Sequence, residues 1–292
     1  MSNLRNYRGR ITAEHTYHDE VFTYVDEDGV ARISAPAHTH IARSIAQADA
    51  YRGMREREEF RGKQSAFTFS NMEALQEVIS ALTTTQCGYL LVLQCYISFD
   101  NGRLTNPDRS YMSTSDMMTV LQLGRKRQTF YDFFAACTEH DVIIANEDGS
   151  YSVNVRYHFK GATDNPFVIR SYSAKIRQVY REAKAVDLGL IYRMLPYVHY
   201  ETNALCANPD ERNPANIRWF NRKELAQAIG VSEGEISRRL PRITLGNEYV
   251  IAKVSVGGHP PRYMLNPFVF YRKTSEPDTT AQAMFNVKVG GK

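Results

Sequence analysis

The feature that most constrains this chain is an internal duplication with an offset of about 101 residues, because a repeat fixes the architecture before any single element is assigned. Met72 to Ile97, MEALQEVISALTTTQCGYLLVLQCYI, runs alongside Ser173 to Val198, SAKIRQVYREAKAVDLGLIYRMLPYV. In this register Leu75 matches Ile176, Val78 matches Val179, Gly88 matches Gly189, Leu93 matches Met194, Tyr96 matches Tyr197 and Ile97 matches Val198. Each copy then reaches an Asn-Pro-Asp loop, at Asn106 to Asp108 and at Asn208 to Asp210. Each also closes alike, with Tyr151 to Asn154 before Phe159 and Lys160, and Tyr263 to Asn266 before Tyr271 and Arg272. Two copies of one domain are expected at 70–161 and 162–273, preceded by an extension over 1–69 and followed by a flexible tail over 274–292.

Within a copy the periods are helical first and strand-like last. Leu75, Val78, Ile79 and Leu82 fall at helical spacing, as do Leu90, Leu93 and Ile97. Ser113 or Thr114 caps a third helix through Leu121, and Arg127 to Thr138 makes a fourth with Phe130, Phe133, Phe134 and Cys137 on one face. Val142 to Ala145, a turn containing Asp148 and Gly149, and Tyr151 to Val155 predict a β-hairpin. The expected fold class is mainly α with small β, an α+β arrangement of tandem winged helix-turn-helix domains.

The second copy states the helix-turn-helix most plainly. Leu225 and Ile229 lie four apart on a first helix; Gly230 supplies the turn, Val231 anchors it, Ser232 caps the next helix, and Ile236 and Leu240 face inward. Glu233, Ser237, Arg238, Arg239 and Arg242 then surround the outer surface, and Val250 to Val256 with Arg262 to Leu265 would form a wing. In the first copy, pairing Gly124 with Gly230 puts Phe130 on Ile236 and Phe134 on Leu240. Charge follows the same division. Residues 214–273 carry ten basic and four acidic side chains, a net +6 against +4 for the whole chain, whereas 71–161 carry a net −3. A locally positive segment is the footprint of a phosphate-backbone binder.

The recognition segment from Gly230 to Leu240, the wing, and the closing run Tyr263 to Arg272 resemble the winged-helix replication proteins of plasmids and phages, especially the RepL type. The duplication departs from that type and is similar to the two-domain architecture of iteron-binding plasmid initiators. The resemblance covers 70–161 loosely and 168–273 better. It implies double-stranded DNA as partner, a role in replication initiation or its control, and a replication helicase or its loader as a further partner. Transcriptional regulation is the alternative with the same fold.

On this reading Ser237 and Arg238 are the candidates for base contact, Arg238 forking onto guanine. Ser232 sits at the start of the same helix, and Arg222, Lys223, Arg239, Arg242, Lys253, His259 and Arg262 would serve the phosphates. In the first copy Arg125, Lys126, Arg127, Gln128 and Thr129 occupy the turn and helix start, where both kinds of contact occur.

Other chemistry finds less support. There is no phosphate-cradling Gly-x-x-x-x-Gly-Lys-Ser/Thr loop, dinucleotide fingerprint or Gly-x-Ser-x-Gly elbow. His38 and His40 have the alternate spacing a metal-dependent nicking enzyme would use, but Thr39 separates them and no acidic partner is fixed nearby. The expectation is a non-enzyme without metal or cofactor. Cys87, Cys95, Cys137 and Cys206 are scattered among aliphatic neighbours and predict buried thiols. With no apolar run of membrane length and a polar amino terminus, a cytoplasmic protein without a membrane partner is expected. The extension predicts a hairpin, Val21 to Tyr24 with Val30 to Ile33, and a helix from Ile41 to Phe60. The mixed charges from Arg55 to Glu59 mark a solvated face, with homodimer formation as the alternative.

Overall fold

The computed structural model describes residues 22–34, 66–99, 101–254 and 261–286. The chain divides into two compact units, Met1–Lys63 and Gln64–Lys292. In the first, β1 (Phe22–Val25) and β2 (Ala31–Ser34) pair antiparallel, and the Asp26 carboxylate accepts from the backbone N–H groups of Asp28 and Val30 to shape the turn. The helix expected at 41–60 and the pair His38 and His40 lie outside the described residues.

In the second unit the first copy runs β3 (Phe67–Asn71), α1 (Leu75–Ala81), α2 (Thr84–Leu93), α3 (Thr114–Val120), α4 (Arg127–Glu139), β4 (Ile143–Ala145), β5 (Tyr151–Val153) and β6 (His158–Phe159). The second copy runs β7 (Val168–Tyr172), α5 (Ser173–Glu182), α6 (Ala185–Met194), α7 (Arg222–Ile229) and α8 (Glu233–Arg239). It continues through β8 (Thr244–Leu245), β9 (Glu248–Tyr249), β10 (Ile251–Val254), β11 (Arg262–Leu265) and β12 (Phe270–Tyr271).

Four strands make one antiparallel sheet in the order β12-β7-β3-β6, so the leading strands of the two copies meet at its centre. Phe69 pairs with Arg170, its own counterpart in the repeat, while Thr68 faces Ser171 and Ser70 faces Ile169. A local two-fold axis therefore passes through the Phe69–Arg170 pair. The helices α2 and α6 obey the same axis. A β-carbon added at Gly88 would collide with the carbonyl of Ala185, and one at Gly189 with the carbonyl of Thr84, and these four residues are again counterparts. Glycine is needed at both places because the two backbones touch. Around the crossing, Cys87 to Leu93 and Leu188 to Tyr192 are buried without interruption, as befits helices enclosed on all sides.

This arrangement corrects the expected fold class. Among the described residues about 40% are helical and 22% lie in strands, spread over several antiparallel sheets, so the fold is not mainly α with small β. Nor are the copies strung in tandem as separate domains: they are fused across a shared sheet and a glycine-lined helix crossing. The leading strands escaped pattern reading for a physical reason. In β3 the polar Thr68 and Ser70 point inward and the rings of Phe67 and Phe69 stay partly exposed, which inverts the usual alternation; in β7 all five residues are buried.

The inward polar groups of β3 are satisfied by a buried chain. Thr68 donates to the Gln94 carbonyl at 3.0 Å, Ser70 donates to Gln94 Oε1 at 3.3 Å, and Ser70 Oγ lies 3.0 Å from Nδ1 of His158. His158 Nε2 then lies 2.9 Å from the hydroxyl of Tyr192, a residue of α6. The second copy thus completes the interior of the first. Burial pushes His158 down to about 3, so its ring is neutral at ordinary pH.

All four cysteines are buried and unpaired, and burial pushes the thiols of Cys87 and Cys206 up to about 11. Of the flexible tail expected over 274–292, residues 287–292 lie outside the described residues, and 274–286 do not trail freely. Instead, a short 3-10 segment, Thr279–Phe285, brings Phe285 to a fully buried position and Asn286 into a bridge with Glu248. Among the described residues no helix is long and apolar enough to cross a membrane.

Candidate nucleic-acid interface

The helix-turn-helix of the second copy is assembled by local chemistry. Asn221 caps α7 by accepting from the Glu224 N–H at 2.9 Å, and Glu224 returns a bond to the Asn221 N–H. Leu225, Ala226 and Ile229 are buried beneath the helix. Gly230 ends it at φ 70° and ψ 41°, the left-handed geometry in which a β-carbon is strained. Ser232 caps α8 through the Glu235 N–H at 3.2 Å, and Ile236 and Leu240 anchor its inner face. The turn is also braced from outside. The Arg193 guanidinium donates to the carbonyl of Ile229 at 3.0 Å and to those of Ile79 and Leu82 at 3.2 and 3.1 Å, joining the ends of α7 and α1.

The candidate residues separate into three groups. Lys223, Arg238, Arg242 and Lys253 are exposed and make no ion pair among the described residues, so their charges are available to a ligand. Arg239 and Arg262 are committed to the protein. Arg239 bonds Asp187 of α6 at 2.9 Å and fastens the inner side of α8. The Arg262 guanidinium stacks 4.1 Å over the ring of Trp219 and stiffens the start of β11. The third group is coupled: Arg222 donates to Glu233 at 2.9 Å and to the Ser237 hydroxyl at 3.2 Å, and the pairing with Glu233 holds the Arg222 charge firmly on. Ser232 is engaged in capping. His259 lies outside the described residues.

In the first copy Arg125, Lys126, Arg127, Gln128 and Thr129 are all exposed at the start of α4, with Gln128 donating to Asp132 at 2.7 Å. The helix register matches the expectation, since Phe130 and Ile236 are both buried. The turn does not. The left-handed residue is Gln122, at φ 54°, directly after the cap Leu121, and Gly124 has no positive φ, so this turn is longer than that of the second copy. The hairpin beside it ends in Glu147 and Asp148. Two bonds from Ser150 and a salt bridge from Arg103 hold the Asp148 carboxyl down at about 2. Arg125, Lys126 and Arg127 make no ion pair among the described residues, and the first copy as a whole carries a net −3.

Sequence reasoning passed over Glu233 as a participant, and missed Gly234, Trp219 and Arg193. The sole tryptophan of the chain was a usable signal; the role of Arg193 was not, because its three carbonyl partners lie at the ends of two other helices, far away in sequence. No protein-family model matches this chain, and no curated protein or solved structure is significantly similar to it.

Proposed function

We propose that the chain is a sequence-specific double-stranded DNA-binding protein of plasmid or phage type, acting in the cytoplasm in replication initiation. The observation that carries this reading is the outward face of α8. A capped, braced helix projects Ser237 and Arg238, with unpaired Lys223, Arg242 and Lys253 around it, inside a segment of net +6. A helix of this kind fits the major groove, with side chains on its exposed face at base edges and flanking cations on phosphates. Replication rather than regulation is favoured by the likeness of the recognition segment and closing motif to the RepL type. The further partners on this reading are a replication helicase or its loader, and a second copy of the chain.

The test is binding of the whole chain to duplex fragments tiling its own genetic element at several salt concentrations, with footprinting of every fragment retained. Protection of direct repeats beside its own gene supports an initiator, and protection across a promoter supports a regulator instead. Affinity should fall steeply with salt, because displaced counterions set the slope. No retention at low salt would overturn the DNA reading.

A further inference from the structure

The face of α8 offered to DNA carries a group that a plain phosphate binder has no use for. Glu233 opens the helix with a side chain 43% exposed, and Ser237 lies one turn further along the same face. A carboxylate here repels a polyanion, yet it is held in place rather than swung away. Arg222 Nε donates to Glu233 Oε2 at 2.9 Å while Nη1 donates to Ser237 Oγ at 3.2 Å, fixing both side chains from one guanidinium. Glu233 Oε1 is left without a hydrogen-bond partner among the described residues, and the Ser237 hydroxyl, which accepts from Arg222, keeps its own hydrogen to donate.

A second observation is independent of these bonds. Gly234 lies between the two residues, inside the helix, with ordinary backbone geometry. A β-carbon there would meet nothing nearer than the Ser232 hydroxyl at 3.9 Å, so the fold does not require glycine. Glycine within a helix is unfavourable. What it provides is bare backbone on the binding face, which lets another surface come close.

We propose that Glu233 is a base-reading residue: its free carboxylate oxygen accepts from the N4 amino group of a cytosine in the major groove, with Arg222 as the positioning residue and Gly234 permitting the approach. The inference rests on the DNA-binding reading and deepens it. A carboxylate accepts from the cytosine amino group, and the paired guanine presents two acceptors toward which Ser237 can donate, so the array fits a C·G pair. Arg222 offsets the charge of Glu233 and makes a carboxylate tolerable beside phosphates.

The experiment is selection from a randomised duplex library by the whole chain, repeated with E233Q and G234A. The wild type should select a C·G pair, and replacing that cytosine by N4-methylcytosine should weaken binding about tenfold. E233Q should lose that preference by about the same factor while binding random duplex more tightly, since one negative charge has gone. G234A should raise the melting temperature and weaken specific binding, opposite signs that a merely structural role would not give. An unchanged cytosine preference in E233Q, or no effect of the methylated base, overturns the inference and leaves DNA binding standing. Failure of the wild type to retain any duplex overturns both.

Discussion

The corner that closes each copy is built at equivalent positions with different chemistry. In the second copy the Arg272 side chain, 1% exposed, donates to the carbonyls of Val198, Pro209 and Pro166 and to the Asp210 carboxylate. Among the described residues its counterpart Lys160 makes a single bond, to the Ile97 carbonyl at 2.6 Å. The same contrast runs through the helix pairs: a short turn set by Gly230 and braced by Arg193 in the second copy, a longer one set by Gln122 in the first. The second copy is a positive surface on a clamped frame, and the first carries a net −3 with an acidic hairpin tip. The two-fold axis was kept where backbones meet, and the outward faces diverged. Burial constrains sequence by packing, whereas a surface is constrained only by what it touches.

The largest effect tests whether the copies are one folding unit. In G189A the new methyl group is driven into the Thr84 backbone, which cannot move without parting α2 from α6. Overpacking of this kind costs about 1–3 kcal/mol or more. Urea denaturation followed by both tryptophan fluorescence, which reports Trp219, and far-ultraviolet dichroism should give one coincident, destabilised transition. Two separated transitions would mean that the copies fold independently and that the shared sheet is secondary.

Next in size is the division of labour between the positive surfaces. The double substitution R238A/R242A should reduce specific DNA affinity about 100-fold and lower the salt slope by about 2, if each cation meets a phosphate or a base. R125A/K126A should cost less than about threefold, since the first copy carries a net −3 and attracts a phosphate backbone weakly. R239A behaves differently from both. It strands Asp187, 13% exposed, and should lower stability by about 1–2 kcal/mol while leaving the salt slope unchanged. Equal affinity losses for the two double variants would show that both copies share the DNA.

These variants also mark what was legible in the sequence. The repeat, the caps Ser113 and Ser232, and the inward residues Ile236 and Phe130 obey local rules, so pattern reading reaches them. The sheet did not follow such rules, because Thr68 and Ser70 take the interior side of β3 and depend on distant partners, Gln94 for both and His158 for Ser70. In the site, exposure and basic type were legible. Which arginines were spent internally was not: Arg239 and Arg262 look no different in sequence from Arg238, and only the positions of Asp187 and Trp219 separate them. Gly124 misled for a related reason, since its type suited the turn and its place did not.

The buried chain Ser70–His158–Tyr192 is asymmetric as well, since Phe270 in β12 occupies the place that His158 holds in β6. His158 has an ordinary value of 6.5 when unfolded and is held at about 3 in the fold, so the unfolded state binds the additional proton between those values. The stability it contributes is complete above pH 6.5 and is lost as pH falls toward 3, by up to about 1.4 kcal/mol per unit. H158F, which copies the second half, should flatten that acid limb in denaturation curves taken at pH 7, 6, 5 and 4. An equally steep limb in the variant would assign the acid sensitivity to carboxylates instead.

The smallest effect concerns the hairpin tip of the first copy. Asp148 stays ionised across the physiological range, since its carboxyl is held at about 2, and Glu147 is exposed beside it. A tip with this charge is repelled by a phosphate backbone, whereas the corresponding strands of the second copy carry Lys253 and Arg262. In E147Q/D148N the repulsion goes, together with the bond that steadies Arg103. Binding to random duplex should tighten by about two- to threefold at low salt, and the gain should vanish at high salt, where exposed charges are screened over a few ångströms. If affinity is unchanged at every salt concentration, the tip lies far from the DNA and the first copy faces away from it. A decrease would mean that the tip holds a cationic partner, and would move the first copy from DNA binding to protein recognition.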